Sequence, residues 1–330
     1  MNTKKRTLYI HIGANKNGST TLQKFLASNQ DRLLNDNVVY PKAGLFNSAH
    51  YHISDVLGYG PKLNRNERLD IISEVKQELE STGIDNAVIS SEYFILSRSP
   101  ESVKKAFQDY NIKIIIYLRR HDLWLESLYN QAVKTTPCPS WDKGIKSFIS
   151  NLGTRKKQHL DYKVLLELWS DVFGRENIIV RPFERMQFKN GSLYDDFLDC
   201  IKVSDATSYI IPKSSMNTSV PVKLLDLIDS INRKEDINTH IKNITISKIL
   251  SSCEIMDEKK VFNLNPSERL ELIEQHQESY CFIAKEYLSR ENGALFYEPL
   301  PSKDEPWDPP PEANLNLTLD IITKLCSNQP

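Results

Sequence analysis

Short apolar runs alternate with longer amphipathic segments through the first half of the chain, a pattern that predicts βαβ units around a parallel sheet. Residues 8–12 read as the first strand, and residues 20–29 as a helix with Leu22, Phe25 and Leu26 on one face. Val38, Val39 and Tyr40 ahead of Pro41 form a second short strand. Leu69, Ile72, Val75 and Leu79 then recur at helical spacing, and Ala87, Val88 and Ile89 make a third strand. A helix over residues 101–110 leads into Ile114, Ile115, Ile116, Tyr117 and Leu118, the most apolar β run in the chain. Continuous rather than alternating apolar character marks a strand buried on both faces, which predicts a place at the sheet centre.

Helices follow over residues 122–134 and 162–173, and a strand over residues 178–180. The remainder is mostly helical. Ile273, His276, Tyr280, Ile283 and Tyr287 form one stripe, predicting a single long helix that starts near Pro266 and Glu268. Residues 298–311, rich in proline and acid, read as an extended surface arm. The fold class predicted is α/β, a three-layer P-loop-type fold with a central parallel sheet flanked by helices and a mostly helical C-terminal part.

Composition narrows the functional classes. The 330 residues are 40 % hydrophobic and 26 % charged, an ordinary globular balance. Forty-two basic against 43 acidic residues give a net charge of -1, so no global positive field draws nucleic acid or an anionic membrane to this chain. Five scattered cysteines without a Cys-x-x-Cys pair speak against a disulfide scaffold and a zinc site, and no metal is expected. The apolar run after the basic start is too short for a signal peptide, and no run is long enough for a membrane span. A cytoplasmic protein is expected.

Two segments carry chemistry. The first strand runs into Gly13-Ala14-Asn15-Lys16-Asn17-Gly18-Ser19-Thr20 and then a helix, an order that presents backbone N–H groups and a helix N-terminus to an anion. It is not a Walker A loop, because Lys16 precedes Gly18 instead of following it. A tight turn with a solvated lysine is the alternative for this loop taken alone. The second segment follows the fourth strand: Arg119 stands at the strand end, and Ser127 lies eight positions on, inside the next helix. An arginine fork and a hydroxyl suit a terminal phosphate, and the C-terminal edge of an open α/β sheet is where such ligands bind. An Arg119-Arg120 pair alone is more often a solvated helix start than a ligand clamp.

Together these segments resemble the sulfotransferases that use 3′-phosphoadenosine 5′-phosphosulfate (PAPS), in particular the bacterial branch that acts on carbohydrates. The resemblance extends over residues 7–300 through Ser90-Ser91-Glu92, Leu160-Asp161-Tyr162, Trp169, Phe173-Gly174, Ile179-Val180-Arg181-Pro182-Phe183, Asn217-Thr218-Ser219 and Leu288. It implies one sulfotransferase domain over residues 1–300, with a 5′-phosphosulfate loop at 13–20 and a 3′-phosphate segment at 117–129. Residues 301–330 are expected as an extension packed on or near it. Gly13, Asn15, Lys16, Asn17, Gly18, Ser19 and Thr20 would hold the 5′ end of the donor, and Arg119 and Ser127 its 3′-phosphate. Asn17 stands where the family usually has threonine. The glycine-rich, lysine-bearing late segment of the cytosolic small-molecule enzymes is missing, which favours the glycan-type branch.

The implied reaction is metal-independent, in-line sulfuryl transfer to a hydroxyl of a surface polysaccharide, lipopolysaccharide or glycolipid, releasing adenosine 3′,5′-bisphosphate. Lys16 is the candidate for stabilising the leaving phosphate. Glu92 and His50 are both candidates for the general base, with His52 behind them. Trp124, Tyr129, Trp141, Trp307 and Arg181 are read chiefly as structural. A non-catalytic nucleotide- or glycan-binding protein on the same fold is the main alternative, and a P-loop kinase a further one.

Overall fold

A computed structural model describes residues 5–13, 16–59, 70–96, 100–155, 160–212, 219–252, 261–314 and 318. In chain order the elements are β1 (Thr7–His11), α1 (Ser19–Ser28), α2 (Gln30–Asn35), β2 (Val38–Val39), α3 (Tyr51–Val56), α4 (Ile71–Ser81), β3 (Asn86–Ser90), α5 (Glu101–Ala106) and β4 (Asn111–Leu118). There follow α6 (His121–Thr135), α7 (Ile145–Arg155), α8 (Tyr162–Phe173), β5 (Ile178–Pro182), α9 (Leu193–Cys200), α10 (Val222–Arg233), α11 (Thr239–Ser252), α12 (Pro266–Gln275) and α13 (Gln277–Leu288). They form two compact units. Met1–Arg120, Gln158–Ser215 and His276–Glu298 build the first; His121–Lys157, Met216–Gln275 and Pro299–Pro330 build the second.

The first unit holds a five-stranded sheet of order β2-β3-β1-β4-β5, parallel throughout, flanked by helices as the α/β reading expects. One face presents Tyr9, Val88, Ile115 and Tyr117 to Leu22, Phe25 and Leu26 of α1 and to Phe197 and Leu198 of α9. On the other face Leu8, Ile10, Ile89, Ile114, Ile116 and Leu118 are equally inaccessible, and α8 packs on β4 and β5. β1, not β4, is the middle strand. The apolar run of β4 signals burial on both faces, which any interior strand shares, so periodicity could not rank the two.

Chain entry to α8 is fixed by Asp161, whose carboxylate accepts from Lys163 N at 2.9 Å, and its exit by Gly174. α9 begins at the Ser192 cap and buries Asp196 against the sheet. Asp196 accepts from Tyr117 Oη at 2.8 Å, Lys189 N at 3.0 Å and the Arg181 guanidinium. Arg181 is thus an internal structural partner.

The second unit is helical. Tyr129 and Val133 of α6, Phe148 of α7, Leu224, Leu225 and Ile228 of α10, and Ile246 and Ile249 of α11 share its core. The extended segment 299–314 is held by Trp307 Nε1 on Phe262 O at 3.0 Å and by Ala313 N on the Asp226 carboxylate at 2.7 Å. Trp141 packs on Phe148 at 5.1 Å between ring centroids. The single late helix expected from the apolar stripe is two helices: His276 leaves helical geometry (φ -106°, ψ 4°) between α12 and α13. Ile273, Tyr280 and Ile283 are buried all the same, so the stripe continues across the break and conceals it.

Candidate functional site

The C-terminal ends of β3, β1 and β4 lie side by side, and each of the three candidate segments leaves from one of them. After β1 comes the glycine loop. A Cβ on Gly13 would stand 2.4 Å from Ser19 Oγ and 2.9 Å from Ser19 Cβ, so the loop closes onto the start of α1 only because this position has no side chain. Gly18 adopts φ 77° as the residue before α1, and a Cβ there would meet Leu193 Cδ2 at 2.7 Å and Phe183 Cε2 at 2.8 Å. Lys16 is also left-handed, at φ 67°. Such a conformation costs a non-glycine residue about 1–3 kcal/mol and persists where the surroundings enforce it.

Two ties enforce it. Asn17 is fully buried and its Nδ2 donates to Tyr117 O at 2.7 Å, pinning the loop to β4. Asn17 Oδ1 has no partner among the described residues. Arg119, at the end of β4, donates from Nη1 to Lys16 O at 3.1 Å, and its guanidinium lies 5.8 Å from the centroid of the Phe183 ring. Tyr162 Oη donates to Arg119 O at 2.7 Å and fixes that backbone from α8. The loop therefore carries one lysine, one arginine against its carbonyl, and the N-terminus of a ten-residue helix, an arrangement that concentrates positive potential. Ser19 is buried beneath Gly13 and Thr20 is exposed on the first turn of α1. Asn15 lies outside the described residues. Ser127 is half-buried on α6 and belongs to the second unit, where Asp122 at the start of the same helix pairs with Arg269.

Glu92 opens the 3-10 turn Glu92–Leu96 directly after β3. Its Oε1 accepts from Tyr51 Oη at 2.9 Å and its Oε2 from Gln23 Nε2 at 3.4 Å. Burial and the adjoining carboxylate push the Tyr51 phenol up, so it remains a donor at neutral pH. Gln23 also reaches Ser90 Oγ at 3.3 Å, and Ser90 Oγ lies 2.8 Å from His11 Nδ1. A chain of polar groups thus runs from beneath the glycine loop to the Glu92 carboxylate. His11 was visible in the sequence only as an interruption of the first strand, and Gln23 and Tyr51 carried no signal. Their roles arise from the β1–β3 pairing, which sets His11 opposite Ser90.

His50 is placed differently. It is fully buried, donates from Nε2 to Pro41 O at 2.9 Å, and accepts at Nδ1 from Ser90 N at 3.1 Å. Both ring nitrogens are committed to backbone groups and the tautomer is fixed. Burial pushes its pKa down to about 4, and that of His11 down to about 3, so both are neutral imidazoles near pH 7. The His52 ring meets Phe46 edge-on, and among the described residues it joins no such network. Among the described residues no group of three or more His, Cys, Asp or Glu side chains is arranged to hold a metal ion. Among them, too, no helix is long and apolar enough to cross a membrane.

No family model matches the chain. An uncharacterised protein of Archaeoglobus fulgidus is 29 % identical over 216 residues, covering 64 % of this chain and 56 % of that protein, so the match spans little more than half its length. Among solved structures, a sulfotransferase from Alicyclobacillus acidocaldarius aligns with a TM-score of 0.40 at 18 % identity, covering 70 % of this chain and 93 % of that one. The sulfotransferase domain of the Synechococcus olefin synthase aligns with a TM-score of 0.32 at 11 % identity, covering 78 % and 98 %.

Proposed function

We propose that this protein transfers a sulfuryl group from PAPS to a hydroxyl of a carbohydrate acceptor. The observation that carries the reading is the Arg119–Lys16 contact: the cation after β4 reaches the backbone of the loop after β1, so cationic groups from two segments share one anion-binding edge. A nucleotide with phosphates at both ends of its ribose needs two such cationic groups. The loop lysine, two positions before Gly18, departs from the placement a P-loop kinase requires.

In the reaction the acceptor oxygen attacks sulfur in line, the S–O bond to the 5′-phosphate breaks, and the acceptor proton passes to a base. The products are the sulfate ester, adenosine 3′,5′-bisphosphate and a proton. Charge grows on the 5′-phosphate oxygens, where Lys16 and the backbone N–H groups of residues 17–20 are the stabilising donors. The left-handed backbone at Lys16 is tied to β4 by Asn17 and held at its carbonyl by Arg119, so little reorganisation is needed as that charge develops. Gly13, Gly18 and Ser19 shape the cradle, Thr20 supplies a hydroxyl at its mouth, and Asn17 anchors it from below. Arg119 and Ser127 are the residues assigned to the 3′-phosphate.

Glu92 is the general base in this reading. It opens the turn that follows β3 beside the loop and accepts two side-chain hydrogen bonds that orient its carboxylate. His50, with both nitrogens engaged, acts instead as a buried brace between the β3 end and residue 41. The testing experiment is calorimetric titration with adenosine 3′,5′-bisphosphate beside ATP and magnesium. Metal-independent binding of the bisphosphate, weakened in Arg119→Ala, supports the reading; preference for magnesium ATP overturns it.

A further inference from the structure

Beside Glu92 stand two aromatic rings whose faces the mechanism leaves unused. Tyr51 opens α3, and Tyr93 follows Glu92 in the turn after β3. Their ring centroids lie 4.9 Å apart with planes tilted by 45°, and Tyr51 Oη donates to Glu92 Oε1 at 2.9 Å. The start of α3 is fastened to the end of β3: His50 N donates to Ser90 O at 2.8 Å, Ser90 N donates to His50 Nδ1 at 3.1 Å, and Ser54 Oγ lies 2.9 Å from Ser91 Oγ. Ser54 Oγ also donates to Tyr51 O at 2.9 Å, and Tyr93 N to Ser91 Oγ at 3.3 Å, so one buried serine pair sets both tyrosine backbones. Their neighbours Ile53 and Phe94 are fully enclosed, as are Tyr9 and Tyr117 in the sheet. Tyr51 and Tyr93 are half-buried instead, a fixed pair of rings with part of their surface in solvent beside a carboxylate.

We propose that Tyr51 and Tyr93 are the acceptor subsite, a platform that receives the C–H face of a pyranose ring. The inference rests on the reading of Glu92 as general base. In-line attack puts the attacking oxygen on the side of sulfur opposite the leaving phosphate, so a group that touches the base stands on the acceptor's side of the reaction and not on the nucleotide's. A chair pyranose has a face of C–H bonds and a rim of hydroxyls. The face packs on aromatic carbon, and the rim then meets the ring edge, where Tyr51 Oη touches the carboxylate. Oε1 is engaged by that phenol, and Oε2, whose contact with Gln23 is longer at 3.4 Å, is the oxygen assigned to the acceptor. The acceptor O–H bond breaks, its proton passes to Oε2, and its oxygen bonds sulfur as the bond to the 5′-phosphate breaks. The Tyr51 phenol, pushed up by burial and by Glu92, keeps its own proton in this step.

The test uses the full-length protein, with adenosine 3′,5′-bisphosphate and the methyl pyranosides of glucose, galactose and mannose as probes. Saturation-transfer NMR with irradiation at tyrosine ring resonances is recorded with the bisphosphate in excess, and dissociation constants follow from titration. At least one pyranoside is expected to receive saturation on its ring C–H protons. Tyr93→Leu and Tyr51→Leu should weaken its binding about ten-fold, and Tyr93→Phe and Tyr51→Phe less than about two-fold, because phenylalanine keeps the ring face. Bisphosphate affinity should hold in all four variants. Unaltered pyranoside binding in Tyr93→Leu, or no pyranoside contact in the wild type, overturns the platform. Loss of bisphosphate affinity in Tyr93→Leu would put the adenine on these rings and overturn it as well. Should Tyr51→Leu fail to fold, Tyr93→Leu, on the other element, carries the test. A wild-type protein that binds no bisphosphate fails the sulfuryl-transfer reading itself, an outcome separate from these.

Discussion

Arg119 Nη1 and the Lys16 carbonyl lie 3.1 Å apart although 103 positions separate the residues in the chain. The contact exists because β1 and β4 are neighbours in register, with His11 beside Ile115, so loop and strand end leave the sheet together. In the proposed reading Arg119 has two tasks, shaping the loop and binding a phosphate. Arg119→Ala is expected to weaken adenosine 3′,5′-bisphosphate binding roughly 10- to 100-fold, the range of a lost charge-assisted pair. Arg119→Lys recovers less than half of that free energy, since a point charge cannot span loop and ligand at once. Calorimetry of both variants checks this, and unchanged affinity in Arg119→Ala would remove the arginine from the site.

Lys16 differs from Arg119 in where its effect falls. A group that meets charge developing on the leaving oxygen acts on turnover more than on ground-state binding. Lys16→Ala is expected to lower kcat about 100- to 1,000-fold, with bisphosphate affinity reduced far less and the unfolding midpoint close to wild type, since alanine carries the same Cβ at φ 67°. Equal losses in affinity and kcat/KM would assign Lys16 to binding alone.

Glu92 and His50 separate by variant. Glu92→Gln preserves the size and the hydrogen bond from Tyr51 but removes the basic oxygen, so turnover should fall by about 100-fold or more while stability stays close to wild type. His50→Ala removes two buried hydrogen-bond partners and strands Ser90 N and Pro41 O, with an expected cost of about 2–4 kcal/mol. Its surviving folded fraction should keep its turnover per molecule. The decisive measurement is kcat per active site beside chemical unfolding; a stable, inactive His50→Ala protein would reverse the assignment.

Sequence reading located the strands and the glycine loop because each leaves a local trace: apolar runs, paired glycines, and a helix beginning at once. It also placed Glu92 and Arg119 at strand ends, since strand boundaries follow from the same pattern. It could not rank Glu92 against His50. That distinction depends on Ser90 N and Pro41 O, backbone groups supplied by β3 and by the turn after β2, and nothing in the local sequence of His50 reports them. Likewise Gln23 reads as one polar position on an amphipathic helix until the β1–β3 pairing brings Ser90 and Glu92 to it. The break at His276 escaped for the opposite reason, because the apolar stripe on either side of it remains in phase.

The two buried histidines set an acid sensitivity. With folded pKa values near 4 for His50 and 3 for His11, against an ordinary value near 6.5, the unfolded chain binds protons that the folded chain refuses. Stability is therefore full above pH 7 and falls as pH drops through 6.5. The His50 contribution levels off below about pH 4 after a loss of up to about 3 kcal/mol. Chemical unfolding at pH 7.5 and 5.5 stays above most carboxylate titration. The wild type should lose more stability over this interval than His50→Gln, and identical losses would show that His50 is not buried neutral.

Asp122 and Arg269 test the second unit. Asp122 at the start of α6 is fully enclosed, and Arg269 of α12 donates to its Oδ2 from Nη2 at 2.8 Å and from Nε at 3.1 Å, while stacking 3.5 Å over the Phe262 ring. Removing one partner leaves the other charge without its counter-ion in a low-dielectric interior, so Arg269→Met should destabilise the protein by about 3–5 kcal/mol. Replacing both, Asp122→Leu with Arg269→Met, removes the stranded carboxylate together with the cation. That pair of substitutions should recover most of the loss. A double-mutant cycle by chemical unfolding measures the coupling. Additive losses would mean that the guanidinium contributes through its packing on Phe262, with the ion pair itself near neutral, and would move the anchor of the Ser127-bearing helix from charge to stacking.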